Sequence, residues 1–197
     1  MEGSAIAIDL DDTIADTSEI ALEIIRNEYL PSATLGKWKY FSIKESFGID
    51  DDEAEKIFKR VWDYPKQVKL VDPSIPSIVD ALRSRHKVYL VTATRGEESN
   101  FAPWLKSKGI GFDKILHVGH SLEKALLSRR YGIGFYIDDH IVVAESVAAA
   151  GKTALLLKKS WNSAFFNSDK TKGIIKMRNW KEVSDFFKVS KGNWLLG

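Results

Sequence analysis

Three carboxylates stand within four positions of one another near the beginning of this sequence. Asp9, Asp11 and Asp12 directly follow the apolar stretch 5–8. Like charges at this spacing repel one another, and each loses hydration free energy where it borders an apolar core. Because a positive charge would offset both costs, a divalent cation or a basic side chain is expected beside these acids.

The elements that must position these acids follow an alternating pattern in the second half of the chain. Short β-branched stretches alternate with segments of helical periodicity, and the connections between them are short. This alternation indicates right-handed βαβ units and a mostly parallel sheet. The predicted fold is α/β, a Rossmann-like parallel sheet with helices on both faces, with strands at Ala5–Ile8, Lys87–Thr92, Lys114–Val118, Gly134–Asp138 and Thr153–Leu157.

The connection between the first two predicted strands is much longer than an ordinary crossover. It contains a helix that starts near Asp16 and ends at Pro31, an irregular aromatic segment 32–48, and a second helix capped by residues 50–52. We therefore predict an α/β core made of residues 1–15 and 70–197, with residues 16–69 inserted as a small helical cap.

Polar side chains follow four of the predicted strands at the point where each strand ends. In strand order they are Asp9 with Asp11, Thr92, Lys124, and Asp138 with Asp139. In an open parallel sheet, ligands bind beyond the carboxyl ends of the strands. These side chains are therefore expected to converge on one site.

The converging residue types suit phosphoryl transfer. Asp9 can act as a nucleophile that forms an aspartyl-phosphate. Asp11, two residues on along an extended chain, can protonate the leaving oxygen and then activate water. Thr92 can donate a hydrogen bond to a phosphate oxygen, and Lys124 can supply a positive charge.

The same acids form a hard oxygen site for a metal ion. The chain contains no cysteine, so a thiolate site is excluded. Carboxylate, carbonyl and water oxygens are the ligands that Mg²⁺ prefers. Asp9 and Asp138 are predicted to hold one Mg²⁺ ion, which with Lys124 would neutralise the crowded carboxylates.

Each of these residues also has an ordinary structural interpretation when it is taken alone. An Asp after a strand is often a turn or helix-cap residue. A Thr that ends a strand is commonly structural, and a Lys in a helix commonly lies on the surface. The ordered set, rather than any single member, favours a functional site.

Four motifs, in this order, resemble those of the haloacid dehalogenase (HAD) superfamily of phosphohydrolases. Residues 9–13 (DLDDT) match its first motif, DxDx(T/V), and residues 88–92 (VYLVT) look like its second. Lys124 stands where its third-motif lysine falls, and residues 135–139 (FYIDD) resemble its fourth motif. The resemblance implies a HAD-like core with a cap of the C1 class, because the inserted segment lies between the first and second motifs.

The resemblance also assigns roles position by position. It implies a nucleophile at Asp9 and a general acid/base at Asp11. Metal ligands are implied at the Asp9 side chain, the Asp11 carbonyl and Asp138, and contacts with phosphate or substrate at Thr13, Thr92, Ala93 and Lys124. Asp12 departs from the superfamily pattern, where Gly is frequent, and is expected to alter how the loop meets the cap.

A narrower similarity concerns the cytosolic 5′(3′)-deoxyribonucleotidases and their bacterial and archaeal relatives. It lies in residues 91–99 (VTATRGEES), the Lys124–Ala125 pair, YIDD, Trp161–Asn162 and 177–183 (MRNWKEV). It implies a nucleoside 5′-monophosphate substrate, in particular a deoxyribonucleotide. A sugar phosphatase or a phosphomutase stays open, since cap loops set specificity.

Several other residues have two interpretations. Asp139 can act at the metal site, where it would hold a metal-bound water or the lysine, or it can cap a helix. Arg95 can touch phosphate or lie in a solvated loop. The spacing of His117 and His120 resembles that of metal ligands, but Gly119 between them favours a loop. The aromatic residues Trp38, Tyr40 and Phe41 fall outside any clean helical pattern and could stack on a nucleobase.

Composition limits the class of protein. The 197 residues are 44% hydrophobic and 28% charged, which is typical of a globular domain, and the net charge of +2 gives no argument for nucleic acid as a partner. No signal-type leader or run of 18 apolar residues is present, so a cytoplasmic protein without a membrane span is predicted. The expected partner is a small phosphorylated metabolite.

The leading prediction is a Mg²⁺-dependent phosphomonoesterase, with two rivals of another class. A phosphorylatable receiver-type module also uses acids, Thr and Lys around Mg²⁺, but its acceptor Asp ends a middle strand. Here the strand 114–118 ends without Asp. A non-catalytic binding protein is the second rival, although it would not need Asp9, Asp11, Lys124 and Asp138 together.

Overall fold

Six parallel strands form one sheet in the order β3-β2-β1-β4-β5-β6 in the computed structural model, which describes residues 4–169 and 172–189. Both ends of the predicted core, residues 1–3 and 190–197, lie outside the described ranges. The strands are β1 Ala5–Ile8, β2 Val88–Thr92, β3 Lys114–His117, β4 Ile133–Asp138, β5 Thr153–Leu157 and β6 Ile174–Met177. All neighbouring pairs are parallel.

Helices connect the strands. They are α1 Thr17–Glu28, α2 Ile43–Phe47, α3 Asp51–Val61, α4 Ile75–Arg83, α5 Glu98–Ser107, α6 Leu127–Tyr131, α7 Ile141–Ala149, α8 Ser163–Phe166 and α9 Trp180–Val189. Three short 3₁₀ helices cover Leu35–Lys37, Ser121–Leu126 and Ser160–Asn162. None of the helices in the described ranges combines the length and the apolar composition that a bilayer crossing requires.

The sheet is buried on both faces, as the apolar runs in its strands predict. Ile6 and Ile8 of β1 belong to a hydrophobic cluster on one face, whereas Ala5 and Ala7 belong to a cluster on the other. This is the period of two expected of a strand. The predicted fold class, a parallel α/β sheet with helices on both faces, is confirmed.

The order of the strands places the end of β1 at a topological switch point. β1 is paired with β2 on one side and with β4 on the other, and the direction of winding changes there. Ile8 lies opposite Leu90 and Ile137, and the Asp9 N–H donates to the Ile137 carbonyl at 3.0 Å. The acids after β1 therefore emerge beside Asp138, the last residue of β4.

The C-terminal part of the sheet was missed by the sequence pattern. The sequence predicts no strand after β5, yet β6 pairs with β5 at the edge of the sheet. Its four residues, IIKM, carry too short an alternation to be distinguished from a loop. The segment that carries Lys124 begins as a 3₁₀ helix at Ser121 and becomes α-helical only at Leu127.

Residues 16–69 leave the sheet and return to it at one place. Ala15 and Leu70 form an antiparallel bridge, the Asp16 N–H donates to the Lys69 carbonyl, and the Val71 N–H donates to the Ile14 carbonyl, each bond at 2.9 Å. Within the segment, α1 and α2 both pack against α3. Its helices thus pack on one another over the edge of the sheet that carries the acids.

Candidate active site

A buried lysine joins the acids that follow β1 and β4. Lys124 lies in the 3₁₀ helix Ser121–Leu126, and its Nζ is 2.7 Å from Asp9 Oδ1 and 2.9 Å from Asp138 Oδ2. All three side chains are buried. The structure therefore brings together residues that are 115 and 14 positions from Lys124 in the sequence.

Burial and mutual repulsion dominate the electrostatics of this cluster. Burial raises the pKa of Asp9 well above its ordinary value; Lys124 opposes that shift, and Asp138 and Asp139 add to it. Burial alone would lower the pKa of Lys124, but its contacts with Asp138 and Asp9 outweigh this and raise it. Lys124 is therefore an ammonium ion. Because the carboxylates also repel one another, an additional positive charge would stabilise their ionised forms.

The arrangement of oxygens fits a divalent cation. Asp9, Asp138 and Asp139 each offer one carboxylate oxygen, and these oxygens all lie within 4.8 Å of one another. The donor set is all oxygen, which suits Mg²⁺ better than a softer ion. These residues could hold the predicted ion, and its charge would offset the repulsion that raises the pKa of Asp9.

Asp139 is bound by protein donors through both carboxylate oxygens. Thr13 Oγ1 donates to Oδ1 at 3.1 Å, and Trp161 Nε1 donates to Oδ2 at 2.9 Å. The side-chain amide of Asn162 also donates to the Asp139 carbonyl at 2.8 Å. Burial and the charge of Asp138 raise the pKa of Asp139 to about 7. Asp139 does not cap α7; it ties the loop after β1 to the segment after β5.

Asp12 has a structural role and a backbone conformation that favours glycine. Its φ of 54° lies in the left-handed region, which Gly adopts freely and Asp tolerates better than most residues. Its carboxylate accepts the Ser18 N–H at 2.9 Å and the Thr17 hydroxyl at 3.3 Å at the start of α1. Burial raises its pKa to about 6 against the lowering effect of Lys159. The helix starts directly after Asp16, as predicted, but the side chain that binds its first turn is that of Asp12.

Asp11 is half-buried beside the cluster and is held by an indole. Trp62 Nε1, just past the end of α3, donates to Asp11 Oδ1 at 3.1 Å. Burial raises the pKa of Asp11, and hydrogen bonds from Thr94 and Trp62 partly oppose that shift. A carboxyl group whose protonated form is favoured in this way is suited to general acid catalysis.

Thr92 and the residues after it form the adjoining wall. Thr92 is fully buried at the end of β2, and its Oγ1 accepts the Thr94 N–H at 3.0 Å. Ala93 and Thr94 line the cavity, whereas Thr13 is fully buried and donates to Asp139 instead. In the loop after β2, Ala93 and Thr94 therefore line the cavity. Thr92 and Thr13 are buried beneath the cavity wall and make hydrogen bonds there.

A cavity of about 250 Å³ is lined by the acids Asp9, Asp11, Asp12 and Asp139. Trp38, Phe41 and Phe58 of the 16–69 segment line it together with Trp161. Trp38 is buried and packs against Trp161 with their ring centroids 5.4 Å apart. Tyr40, the third candidate aromatic residue, is 57% exposed and does not line the cavity.

The remaining polar candidates lie at the margin. Arg95 lines the cavity but is exposed, with Nε 3.8 Å from Glu55 Oε1. His117 Nε2 is 2.8 Å from the Thr94 carbonyl oxygen, and the His120 ring accepts the Leu122 N–H at 3.2 Å. Each histidine ring thus has a backbone hydrogen-bond partner in the loops, and His120 also lines the cavity.

The sequence matches no protein-family model and no curated protein. Solved structures, however, share the architecture. A haloacid dehalogenase-like family hydrolase from Streptococcus pneumoniae has a TM-score of 0.68 at 19% identity, over 93% of this chain and 98% of that one. A HAD family hydrolase from Deinococcus radiodurans, with bound phosphate and sodium, has a TM-score of 0.64 at 13% identity, over 96% and 97%.

The chain has the HAD-like fold. An L-2-haloacid dehalogenase is also similar, with a TM-score of 0.58 at 13% identity over 94% of this chain and 99% of that one. Proteins named for different reactions thus share the HAD-like fold, so the fold does not select the reaction. The choice must come from the residues of the site.

Sequence reasoning missed three contributors to the site in this HAD-like fold. Thr94 stands in the segment that carries the family resemblance but was assigned no role. Trp161 falls in a Trp-Asn pair used only to choose a subfamily, yet it binds Asp139. Trp62 is buried, and its indole N–H donates to Asp11. The resemblance pattern covers Thr94 and Trp161, whereas Trp62 has no such signal in the sequence.

Gly96 is required where the indole of Trp62 passes, and we expect Gly96→Ala to destabilise the protein. A Cβ at position 96 would lie 2.3 Å from Trp62 Cδ1, so the ring or the loop must shift. The expected loss in free energy of unfolding is about 1–3 kcal/mol, by analogy with overpacked cores. Urea denaturation of the variant and the parent measures this loss.

Gly36→Ala is the matched control for that substitution. A Cβ at position 36 has only Thr34 Oγ1 near it, at 3.9 Å. We expect its free energy of unfolding to change by less than about 0.5 kcal/mol. Equal effects of the two substitutions would contradict the view that contact with Trp62 is what demands glycine at position 96.

Proposed function

We propose that this protein is a metal-dependent phosphomonoesterase of the haloacid dehalogenase superfamily that works through an aspartyl-phosphate. The observation that carries the proposal is the buried Lys124 ammonium between Asp9 and Asp138, with Asp11 two residues from Asp9. This arrangement combines a nucleophile, a fixed positive charge, a candidate metal site and an acid at the base of one cavity.

The residues divide the reaction into two steps. In the first, a carboxylate oxygen of Asp9 attacks phosphorus, the bond from phosphorus to the ester oxygen breaks, and Asp11 gives its proton to the departing alkoxide. In the second, Asp11 takes a proton from water while the water oxygen attacks phosphorus. The acyl-phosphate bond to Asp9 then breaks, which releases inorganic phosphate and restores Asp9.

Lys124 and the metal ion act through charge. The Lys124 ammonium, 2.7 Å from Asp9, favours the ionised form of the nucleophile against the effect of burial, and it lies where it can bind a phosphate oxygen. Asp9, Asp138 and the Asp11 carbonyl would hold one Mg²⁺, with Asp139 as a further candidate. The bound ion would supply Lewis-acid stabilisation of charge on the phosphoryl group.

Residues of the site favour hydrolysis over the alternatives. A carbon–halogen dehalogenase needs no acid for its leaving group, whereas Asp11 is present and held by Trp62. A receiver-type module is expected to carry its acceptor Asp at the end of the third strand along the chain, but here β3 ends in His117. A pure binding protein has no need of a nucleophile beside an acid.

We propose residues 16–69 as a cap of the C1 class on the core formed by 1–15 and 70–197. The segment begins and ends at the Ala15–Leu70 bridge, so its two connections to the core lie side by side. Trp38, Phe41 and Phe58 from this segment line the cavity above the acids. The proposed cap would therefore contact the part of the substrate that leaves.

The cavity lining supports a nucleoside 5′-monophosphate, such as a deoxyribonucleotide, as the substrate. Aromatic rings line it, and two polar atoms, Trp38 Nε1 and His140 Nδ1, are buried with no hydrogen-bond partner among the described residues. A nucleobase offers a flat ring that can stack on such an aromatic lining. A small metabolite of this kind suits a cytoplasmic enzyme.

Phosphate release from a substrate panel tests the proposal. The panel comprises nucleoside monophosphates, sugar phosphates and p-nitrophenyl phosphate, each assayed with Mg²⁺ and with EDTA. Because the acids need added positive charge, we expect EDTA to lower release by at least about 100-fold and Mg²⁺ to restore it. A preference for nucleotides would support the substrate proposal, and a preference for sugar phosphates would overturn it.

No release from any substrate, from folded protein supplied with Mg²⁺, would contradict the hydrolase proposal itself. Stable, stoichiometric phosphorylation of the protein without turnover would instead favour the receiver-type alternative. Binding of nucleotide without either reaction would favour a binding protein.

A further inference from the structure

We infer that Trp62 is a positioning residue for the acid of the reaction, its indole N–H fixing the Asp11 carboxyl group so that the proton is presented to the leaving oxygen. This inference rests on the proposed hydrolase function. It concerns a residue that does not itself line the cavity.

Trp62 is held firmly enough to position another group. Its side chain is 1% exposed, and its ring packs edge-on against Phe101 and Trp104 of α5, with centroids 5.8 and 5.5 Å apart. Gly96 lies against the face of the indole, where any side chain would collide with it. The ring is therefore fixed from several directions, and its N–H is directed at Asp11 Oδ1, 3.1 Å away.

The hydrogen bond also favours one of the two Asp11 oxygens as the carrier of the proton. An indole N–H only donates, so the oxygen that accepts it offers a lone pair in that direction. The protonated carboxyl group therefore favours its O–H on the other oxygen, and rotation of the group is restrained. Since Asp11 lines the cavity and Trp62 does not, the restraint is applied from behind the acid.

The contact joins two parts of the chain that are 51 residues apart. Asp11 belongs to the loop after β1, whereas Trp62 belongs to the proposed cap. The acid is thus aligned by the segment that also lines the leaving-group side of the cavity. A misplacement of about 1 Å can cost about 100-fold in rate, so loss of this restraint should affect proton donation strongly.

Leaving-group dependence separates this role from simple packing. An alkoxide needs a proton as it departs, whereas p-nitrophenolate is stable enough to leave without one. For Trp62→Phe, which keeps an aromatic ring but loses the N–H, we expect kcat/KM for ethyl phosphate or a nucleoside monophosphate to fall about 10-fold or more. We expect kcat/KM for p-nitrophenyl phosphate to change less than about threefold, because that parameter reports on transfer to Asp9 and this step then needs little acid.

Trp104→Phe is the matched control. It removes an indole N–H from the same aromatic cluster, but that N–H donates to the Val68 carbonyl at 3.0 Å and not to an acid. Its effect on the two substrates should be equal. A second variant replaces Trp62 with β-(3-benzothienyl)alanine, in which sulfur takes the place of the N–H in a ring of nearly the same shape. It should reproduce the leaving-group difference even if Trp62→Phe folds poorly.

The Asp11→Asn background completes the test. With no acid to align, Trp62→Phe should add no further leaving-group difference. If the benzothienyl variant loses kcat/KM equally with both esters, or not at all, the inference is overturned. The proposed function still stands in that case, provided that the wild-type protein turns over both esters. Absence of turnover by the wild-type protein would instead be a failure of the proposed function, and the inference would fall with it.

Discussion

Asp9→Asn is expected to reduce phosphate release by about 10⁴-fold or more, because the variant lacks the only group proposed to attack phosphorus. The substitution changes one oxygen to an amide nitrogen and leaves the shape of the side chain almost unaltered. The measurement is the rate of release from the best substrate of the panel. Covalent labelling by a ³²P-labelled ester should also be lost, while Asp11→Asn, which keeps the nucleophile, should retain label.

Folding should survive this substitution. Asp9 is repelled by Asp138 and Asp139, and after its replacement Lys124 keeps its contact with Asp138 at 2.9 Å. We expect the free energy of unfolding to change by no more than about 1 kcal/mol. Asp80→Asn, on the exposed side of α4, is the control and should leave activity unchanged. Activity of Asp9→Asn within tenfold of the parent would reject Asp9 as the nucleophile.

Lys124→Met is expected to destabilise the protein severely as well as to inactivate it. The ammonium is buried and contacts Asp9 and Asp138, so its removal leaves two buried carboxylates without their partner. Breaking a buried ion pair from one side costs about 3–5 kcal/mol. Urea titration of metal-free protein at about neutral pH measures this loss in the free energy of unfolding.

The pH dependence identifies the cause of that loss. Burial already raises the pKa of Asp9, and without Lys124 it should rise further. A folded state that binds more protons than the unfolded state becomes less stable as pH rises. The free energy of unfolding of Lys124→Met should therefore increase as the pH is lowered from about 8 to about 5. Added Mg²⁺ should restore part of the loss at neutral pH.

Lys69→Met is the matched control for that variant. Lys69 pairs with Glu19 at 3.1 Å on the surface, where both side chains are more than half exposed. Surface pairs contribute about 0–1 kcal/mol, so only a small change is expected at any pH. A similar small change in Lys124→Met would show that the acids do not depend on the lysine for their burial.

The substitution experiments concern a site whose main members were evident from the order of residues along the chain. Once the strands were located, the end of each strand indicated which side chains would meet, because parallel strands carry their carboxyl ends to one edge. Asp9, Lys124 and Asp138 were predicted to converge, and the distances of 2.7 and 2.9 Å agree. The fold class followed from the same local periodicity. β6 did not, because four edge residues hold too little pattern.

The contacts that orient the site residues could not be predicted from strand ends and local periodicity. Asp12 looked like another acid of the cluster, but its backbone conformation turns it toward the start of α1. Tyr40 and Phe41 are adjacent in sequence, yet only Phe41 lines the cavity, since the turn of the chain there directs them differently. Neither outcome follows from residue type or spacing.

The sequence by itself determined the parallel α/β sheet and the order in which acids, threonine and lysine reach its edge, because apolar periodicity and strand ends are local properties. Tertiary structure alone decided that Trp62 meets Asp11, that Trp161 meets Asp139, and which aromatic rings line the cavity. Those contacts join residues 51 and 22 positions apart through side-chain packing. Packing depends on the shape of the whole core, which no short stretch of sequence contains.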